Sequence, residues 1–173
     1  MAADRGWMMH VFDPSARISP LADLETSMRG SKIVIGAGAM IDAFVKIKFA
    51  GGSGDVVIGA NSYINSGCVI YSGHGVTIGN DVLVAANCTF AATNHAFSDP
   101  DKPIRSQGFQ PSRGGILIED DVWIGANVVL LDGAMIRKGA VIAAGSLVRG
   151  EVPEYAIYGG NPGRIVGKRG LKP

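Results

Sequence analysis

A period of six residues governs most of this chain. Large apolar residues lead successive hexads at Phe12, Ile18 and Leu24; Ile35, Ile41 and Ile47; Ile58, Ile64 and Ile70; Ile78, Val84 and Phe90; Ile118, Ile124 and Leu130; and Ile136, Ile142 and Val148. Six matches neither the 3.6-residue period of a helix nor the alternation of a flat strand. It suits a coil of short strands joined by tight corners, each strand turning one large side chain inward. Four residues after most leads stands a small or β-branched residue, as at Ala39, Val45, Ser62, Val82, Val122, Val128, Ala134, Ala140, Ser146 and Val152. Cys68, Cys88 and His74 fall in that column too, so the two cysteines read as small core residues and not as a disulfide framework or a zinc knuckle. The residue after the lead is often glycine, as at Gly36, Gly59, Gly79 and Gly125. A corner needing positive φ is expected there.

Three hexads make one triangular coil, which predicts six coils around a continuous aliphatic column. Each fully buried Ile or Leu contributes roughly 1.5–3 kcal/mol. The step of six is broken between Leu24 and Ile35, Ile47 and Ile58, Ile70 and Ile78, and Phe90 and Ile118, always after a third hexad. Such insertions all leave from one corner of the prism. The longest is loop 91–117, rich in Pro, Gly and charge, and loops of that length in a compact domain are usually functional or disordered.

Composition agrees with a thin prism: 47% of residues are apolar, 7% aromatic and 25 are glycine. So apolar a chain is not disordered, and its glycines lack the every-third spacing of collagen. A net charge of +1 excludes a strongly basic nucleic-acid surface. No apolar run approaches the roughly 18 residues that span a bilayer, and the first residues lack a signal-peptide core. The expectation is a soluble, cytoplasmic, all-β single domain. It would comprise an N-terminal segment 1–11, a β-helix 12–152 carrying loop 91–117, and a closing segment 153–173.

The hexads, the loop leaving after Asn94-His95, and Asp121-Val122-Trp123-Ile124-Gly125-Ala126 beyond it resemble the hexapeptide-repeat acyltransferases, in the branch that acetylates sugars and polysaccharides. The resemblance implies a left-handed parallel β-helix, a homotrimer with sites between subunits, and acetyl-CoA as co-substrate. It also implies that His95 is the catalytic base. Acyl transfer from a thioester requires a proton to leave the attacking hydroxyl or amine, and imidazole, with an ordinary pKa near 6.5, suits that work at neutral pH. The bland reading of His95 is a residue capping a turn. Asn65, after lead residue Ile64, matches an asparagine that contacts the acceptor or the developing oxyanion in galactoside-type enzymes; otherwise it is a corner asparagine tolerating φ > 0. Tyr71 and Asp99 are candidate acceptor contacts. His74 reads as structural and His10 as surface. No three histidines stand where a zinc site would need them, so no metal is expected.

Gly160-Asn161-Pro162-Gly163 resembles the family's terminal Gly-Asn-Pro-Ala signature, with glycine replacing alanine. There the segment closes the helix and lines the coenzyme A channel. By that resemblance Gly125, Ala126, Ala143, Ala144, Gly145 and Pro162 would admit the pantetheine arm, although small residues also suit corner packing. Arg164, Lys168 and Arg169 would meet the coenzyme's phosphates, or form a solvated tail. The implied acceptor is a sugar of O-antigen, capsule or exopolysaccharide. The alternatives are an amino sugar linked to a nucleotide and a non-catalytic hexapeptide scaffold.

Overall fold

The computed structural model describes residues 10–170; most of the expected N-terminal segment 1–11, and residues 171–173 of the closing segment, lie outside them. Short strands stack into three parallel sheets that form the faces of a triangular prism. Seven strands make the first face, from Val11–Phe12 to Glu151–Val152, and six make the third, from Asp23–Leu24 to Leu147–Val148. The second face holds eight, from Arg17–Ile18 to the antiparallel hairpin Ala156–Gly160 and Gly163–Lys168. Among the described residues the one helical element is a 3₁₀ turn at Ile104–Ser106, and no helix is long and apolar enough to cross a membrane.

The hexad leads lie in register. Phe12, Ile35, Ile58, Ile78, Ile118 and Ile136 are Cα partners on the first face, and the second and third faces repeat the pattern. From Ile35 onward each lead is at most 2% exposed. Every insertion leaves from the corner between the third and first faces, called here the third corner.

Four details depart from the sequence pattern. Val152 is a lead, not a column residue: it pairs with Ile136, and Tyr158 with Ile142, which opens a seventh, partial coil. The hairpin closes it. Positive φ occurs three residues after the lead, at Gly38, Asn61, Asp81, Asp121 and Gly139 on the first corner, and not at the glycines directly after it. Those glycines serve close stacking instead. A Cβ at Gly59 would collide with the Gly79 carbonyl oxygen, and one at Gly125 would lie 2.6 Å from the Ala144 nitrogen. Finally, His74 is exposed: the short insertion before Ile78 shifts the buried position to Ser72, fully buried, as are the column cysteines.

Candidate active site

Loop 91–117 rises from the third corner as two limbs joined by a small antiparallel ladder. His95 and Phe109 form a β-bridge, the Ala96 N–H donates to the Gly108 carbonyl at 3.0 Å, and the Gln110 N–H to the Asn94 carbonyl at 2.8 Å. The His95 ring stacks on Phe109, with centroids 4.7 Å apart. Its Nδ1 lies 3.2 Å from the Gly108 carbonyl oxygen. A carbonyl only accepts, so this partner assigns the proton to Nδ1 and leaves the Nε2 lone pair free. His95 itself is exposed.

Two further sets of contacts shape the loop. At its tip, Gln107 accepts from the Asp99 N–H at 3.1 Å and donates to the carbonyls of Asp99 and Lys102 at 2.9 and 2.8 Å. The Asp99 carboxylate pairs with Lys102 at 2.9 Å and accepts from the Asp101 N–H, so the structure places this expected acceptor contact within the loop's own network. At the exit, Asp132, 4% exposed, accepts from the Arg113 and Gly115 N–H groups at 2.7 and 2.9 Å and from the Ser112 hydroxyl at 3.1 Å. Asp132 carried no sequence signal beyond a charge two residues after a lead. Asp132→Ala leaves the buried Gly115 N–H unmatched, at about 1–3 kcal/mol. Limited proteolysis should then cut between residues 96 and 114 faster than in the wild type, and Asp132→Asn should fall between the two.

The second corner, between the second and third faces, is a stack of turns. The Asn87 N–H donates to the Ser66 carbonyl at 3.0 Å, the Asn127 N–H to that of Ala86 at 3.0 Å, and the Gly145 N–H to that of Ala126 at 2.8 Å. Ala126, Ala143, Ala144 and Gly145 therefore line one strip, of which the last three are exposed. Gly125 belongs to the same corner but is buried beneath Ala144. Above the strip the hairpin tip turns at Asn161–Pro162, and the Gly160 N–H reaches the Ser146 hydroxyl at 3.1 Å.

Asn65 stands on the same corner, two coils below Ala126. Its Oδ1 accepts from the Ser66 N–H at 2.7 Å, which leaves both amide N–H donors available. Asn65 is not among the positive-φ residues, so corner geometry does not account for it.

The basic tail divides. Arg164 pairs with Gly159 near the hairpin tip, whereas Lys168 pairs with Ala156 at its far end. Arg169 then lies on the first corner, 2.8 Å from the Asp121 carboxylate. An antiparallel return strand necessarily carries its end away from the turn, so Lys168 and Arg169 are remote from the strip where phosphate contacts were expected. Arg149 is closer. With Leu131, Leu147, Tyr158, Pro162 and Gly163 it lines a cleft of about 300 Å³.

Tyr71 ends a strand of the third face and is the Cα partner of Ala91, which puts it at the root of the His95 loop. Asn65 and His95 occupy different corners, at opposite edges of the third face. Both cysteines are buried and out of reach of any substrate, and among the described residues no group of three or more His, Cys, Asp and Glu is placed to hold a metal.

The family models for bacterial transferase hexapeptide repeats and for the hexapeptide repeat of succinyl-transferase match residues 115–150 and 54–90. The putative lipopolysaccharide biosynthesis O-acetyl transferase WbbJ of Escherichia coli is 32% identical over 80% of this chain and 70% of its own length. The E. coli galactoside O-acetyltransferase is 31% identical over 92% of this chain and 74% of its own. Among solved structures, the hexapeptide-repeat acetyltransferase VCA0836 of Vibrio cholerae, complexed with acetyl coenzyme A, superposes with a TM-score of 0.67 at 31% identity, covering 78% of this chain and 69% of that one. The N-acyltransferase AntD of Bacillus cereus superposes at 0.78 and 24% identity, over 94% and 85%, a likeness of fold. The fold is thus the left-handed parallel β-helix. This chain belongs to the hexapeptide-repeat acyltransferase family, in its sugar and polysaccharide branch. It is an acetyltransferase that uses acetyl-CoA as co-substrate.

Proposed function

We propose that the enzyme acetylates a hydroxyl or amine of a sugar in surface-polysaccharide biosynthesis, by direct attack with His95 as general base. The observation that carries this reading is the Gly108 carbonyl on Nδ1, which leaves the exposed Nε2 as an acceptor. As Nε2 takes the acceptor's proton, the freed oxygen or nitrogen attacks the thioester carbon. The Asn65 amide donors face the developing oxyanion. Collapse of the tetrahedral species breaks the C–S bond, and the imidazolium returns the proton to the departing coenzyme A sulfur. A role in surface polysaccharide draws support from the likeness to WbbJ.

One chain does not bring Asn65 and His95 together, so we place each site between copies of a homotrimer. His95 on the loop of one copy would meet the second corner of the next. Phe97, Ile104 and Phe109 leave the loop 64%, 56% and 46% exposed, an apolar surface suited to a neighbour. Light scattering should give three times the 18.0 kDa chain mass; a monomer with full activity would exclude the shared site.

The strip Ala126, Ala143, Ala144 and Gly145, with Pro162 and Arg164 above it, is assigned to the pantetheine arm and the coenzyme's phosphates. Ala144→Trp fills this strip from an exposed position and should raise KM for acetyl-CoA about tenfold or more without lowering Tm. An unchanged KM would remove the strip from the donor site. The activity as a whole is tested by thiol release from acetyl-CoA across free sugars, nucleotide sugars and amino-deoxysugars, with His95→Ala as control.

A further inference from the structure

A cleft of about 500 Å³ opens at the foot of the second corner, lined among others by Arg17, Ser19, Met40, Asp42 and Tyr63. Its size falls within the range of small-molecule sites. Arg17, Met40 and Tyr63 are register partners across three coils of the second face, and Ser19 and Asp42 begin the turns of the second corner. A hydrogen-bond network joins this cleft to Asn65. The Asp42 carboxylate accepts from the Tyr63 hydroxyl at 3.0 Å and from the Ser66 hydroxyl at 2.9 Å, and Ser66 in turn holds the Asn65 carboxamide oxygen. The donor strip thus lies above Asn65 and the cleft beside and below it, along one edge of the prism.

We propose that this cleft is the acceptor subsite and that it selects a sugar carrying an anionic group, a phosphate or a carboxylate, held by Arg17. The proposal rests on the acetyltransferase reading above and gives its acceptor a chemical class. Arg17 is the one cation among the lining residues, exposed and without an ion pair or side-chain hydrogen bond in the described structure. Among the described residues no ion pair joins Asp42 to it: the carboxylate accepts instead from the Ala43 N–H at 2.7 Å, from Ser66 and from Tyr63. Those donors also hold its pKa below the ordinary carboxylate value, so its charge persists at neutral pH. A guanidinium offers paired N–H groups that match phosphate or carboxylate oxygens. Met40 supplies an apolar wall for the C–H side of a sugar ring, and the Tyr63 oxygen and Ser19 hydroxyl can receive its hydroxyl protons. Asp42 is a positioning residue in this arrangement: it acts on the reaction through Ser66 and Asn65.

The test uses the full chain and matched sets of acceptors: glucose, galactose and N-acetylglucosamine, each as the free sugar, the 1-phosphate and the uridine-diphosphate sugar, with glucuronic and galacturonic acids. Thiol release gives kcat/KM for the wild type and Arg17→Gln. At least one anionic form should exceed its neutral parent by about tenfold or more, the worth of a hydrogen bond to a charged group. Arg17→Gln should reduce that ratio to within about twofold through KM. Preference for the 1-phosphates and nucleotide sugars identifies phosphate; preference for the uronic acids identifies carboxylate. Equal rates for neutral and anionic forms, or a preference that survives Arg17→Gln, overturn the proposal. If no acceptor turns over, the acetyltransfer reading fails separately, and calorimetry of the 1-phosphates with coenzyme A present still decides the subsite. Saturable binding lost in Arg17→Gln upholds it; binding indifferent to Arg17, or none, rejects it.

Discussion

Replacing His95 by alanine is expected to lower kcat by about 10²–10⁴-fold, the usual contribution of a positioned general base, or roughly 3–5.5 kcal/mol of barrier. KM for acetyl-CoA should stay within about twofold, because His95 is assigned to the acceptor's proton and not to holding the donor. The fold should survive: the ring is exposed, and its contacts are one hydrogen bond to the Gly108 carbonyl and the stack on Phe109. The loop ladder depends on backbone groups of Asn94, Ala96, Gly108 and Gln110, which alanine preserves. The measurement is thiol release under saturating acetyl-CoA, with circular dichroism and light scattering as folding controls. Near-normal turnover in a correctly assembled variant would return His95 to the role of a turn residue.

The largest effect on stability is expected at Phe90. It is fully buried, and its Cα partners on either side in the third face are Ile70 and Leu130. It is also the largest fully buried side chain. In a prism whose interior is one side chain wide per strand, no second layer can move in to fill a void. Phe90→Ala should therefore cost about 3–5 kcal/mol, a large part of the 5–15 kcal/mol typical of a folded domain. Urea denaturation should show a lower midpoint with an unchanged slope. Phe90→Leu keeps most of the volume and should cost much less. Phe12 lies on the first described strand of the first face and is only half-buried, so Phe12→Ala should cost less than Phe90→Ala. Equal losses at the two positions would contradict this account of the core.

Corner geometry explains why two glycine positions differ. Gly59 is required by the backbone of the next coil, while Gly145, at φ +71°, has open space where a Cβ would sit. A side chain at Gly145 meets conformational strain and no clash, whereas one at Gly59 must push two coils apart.

The six-residue period by itself determined the prism, the registry of its leads, the buried column and the single corner from which the insertions leave. These follow from spacing along the chain, because stacked coils repeat the same local geometry and burial selects the same residue type at each repeat. Loop 91–117 and its histidine were legible for the same reason, as the longest break in that period. The tertiary structure alone decided which group orients His95, since Gly108 reaches it only after the loop has folded back. It also decided that Asp132 anchors the loop exit, that Arg169 sits on the first corner, and that Asn65 joins Asp42 and Tyr63 through Ser66. Each of these depends on contacts between coils or across an antiparallel return. Such contacts fall at no fixed interval in sequence, so a repeat can fix where the coils lie without stating what meets at their edges.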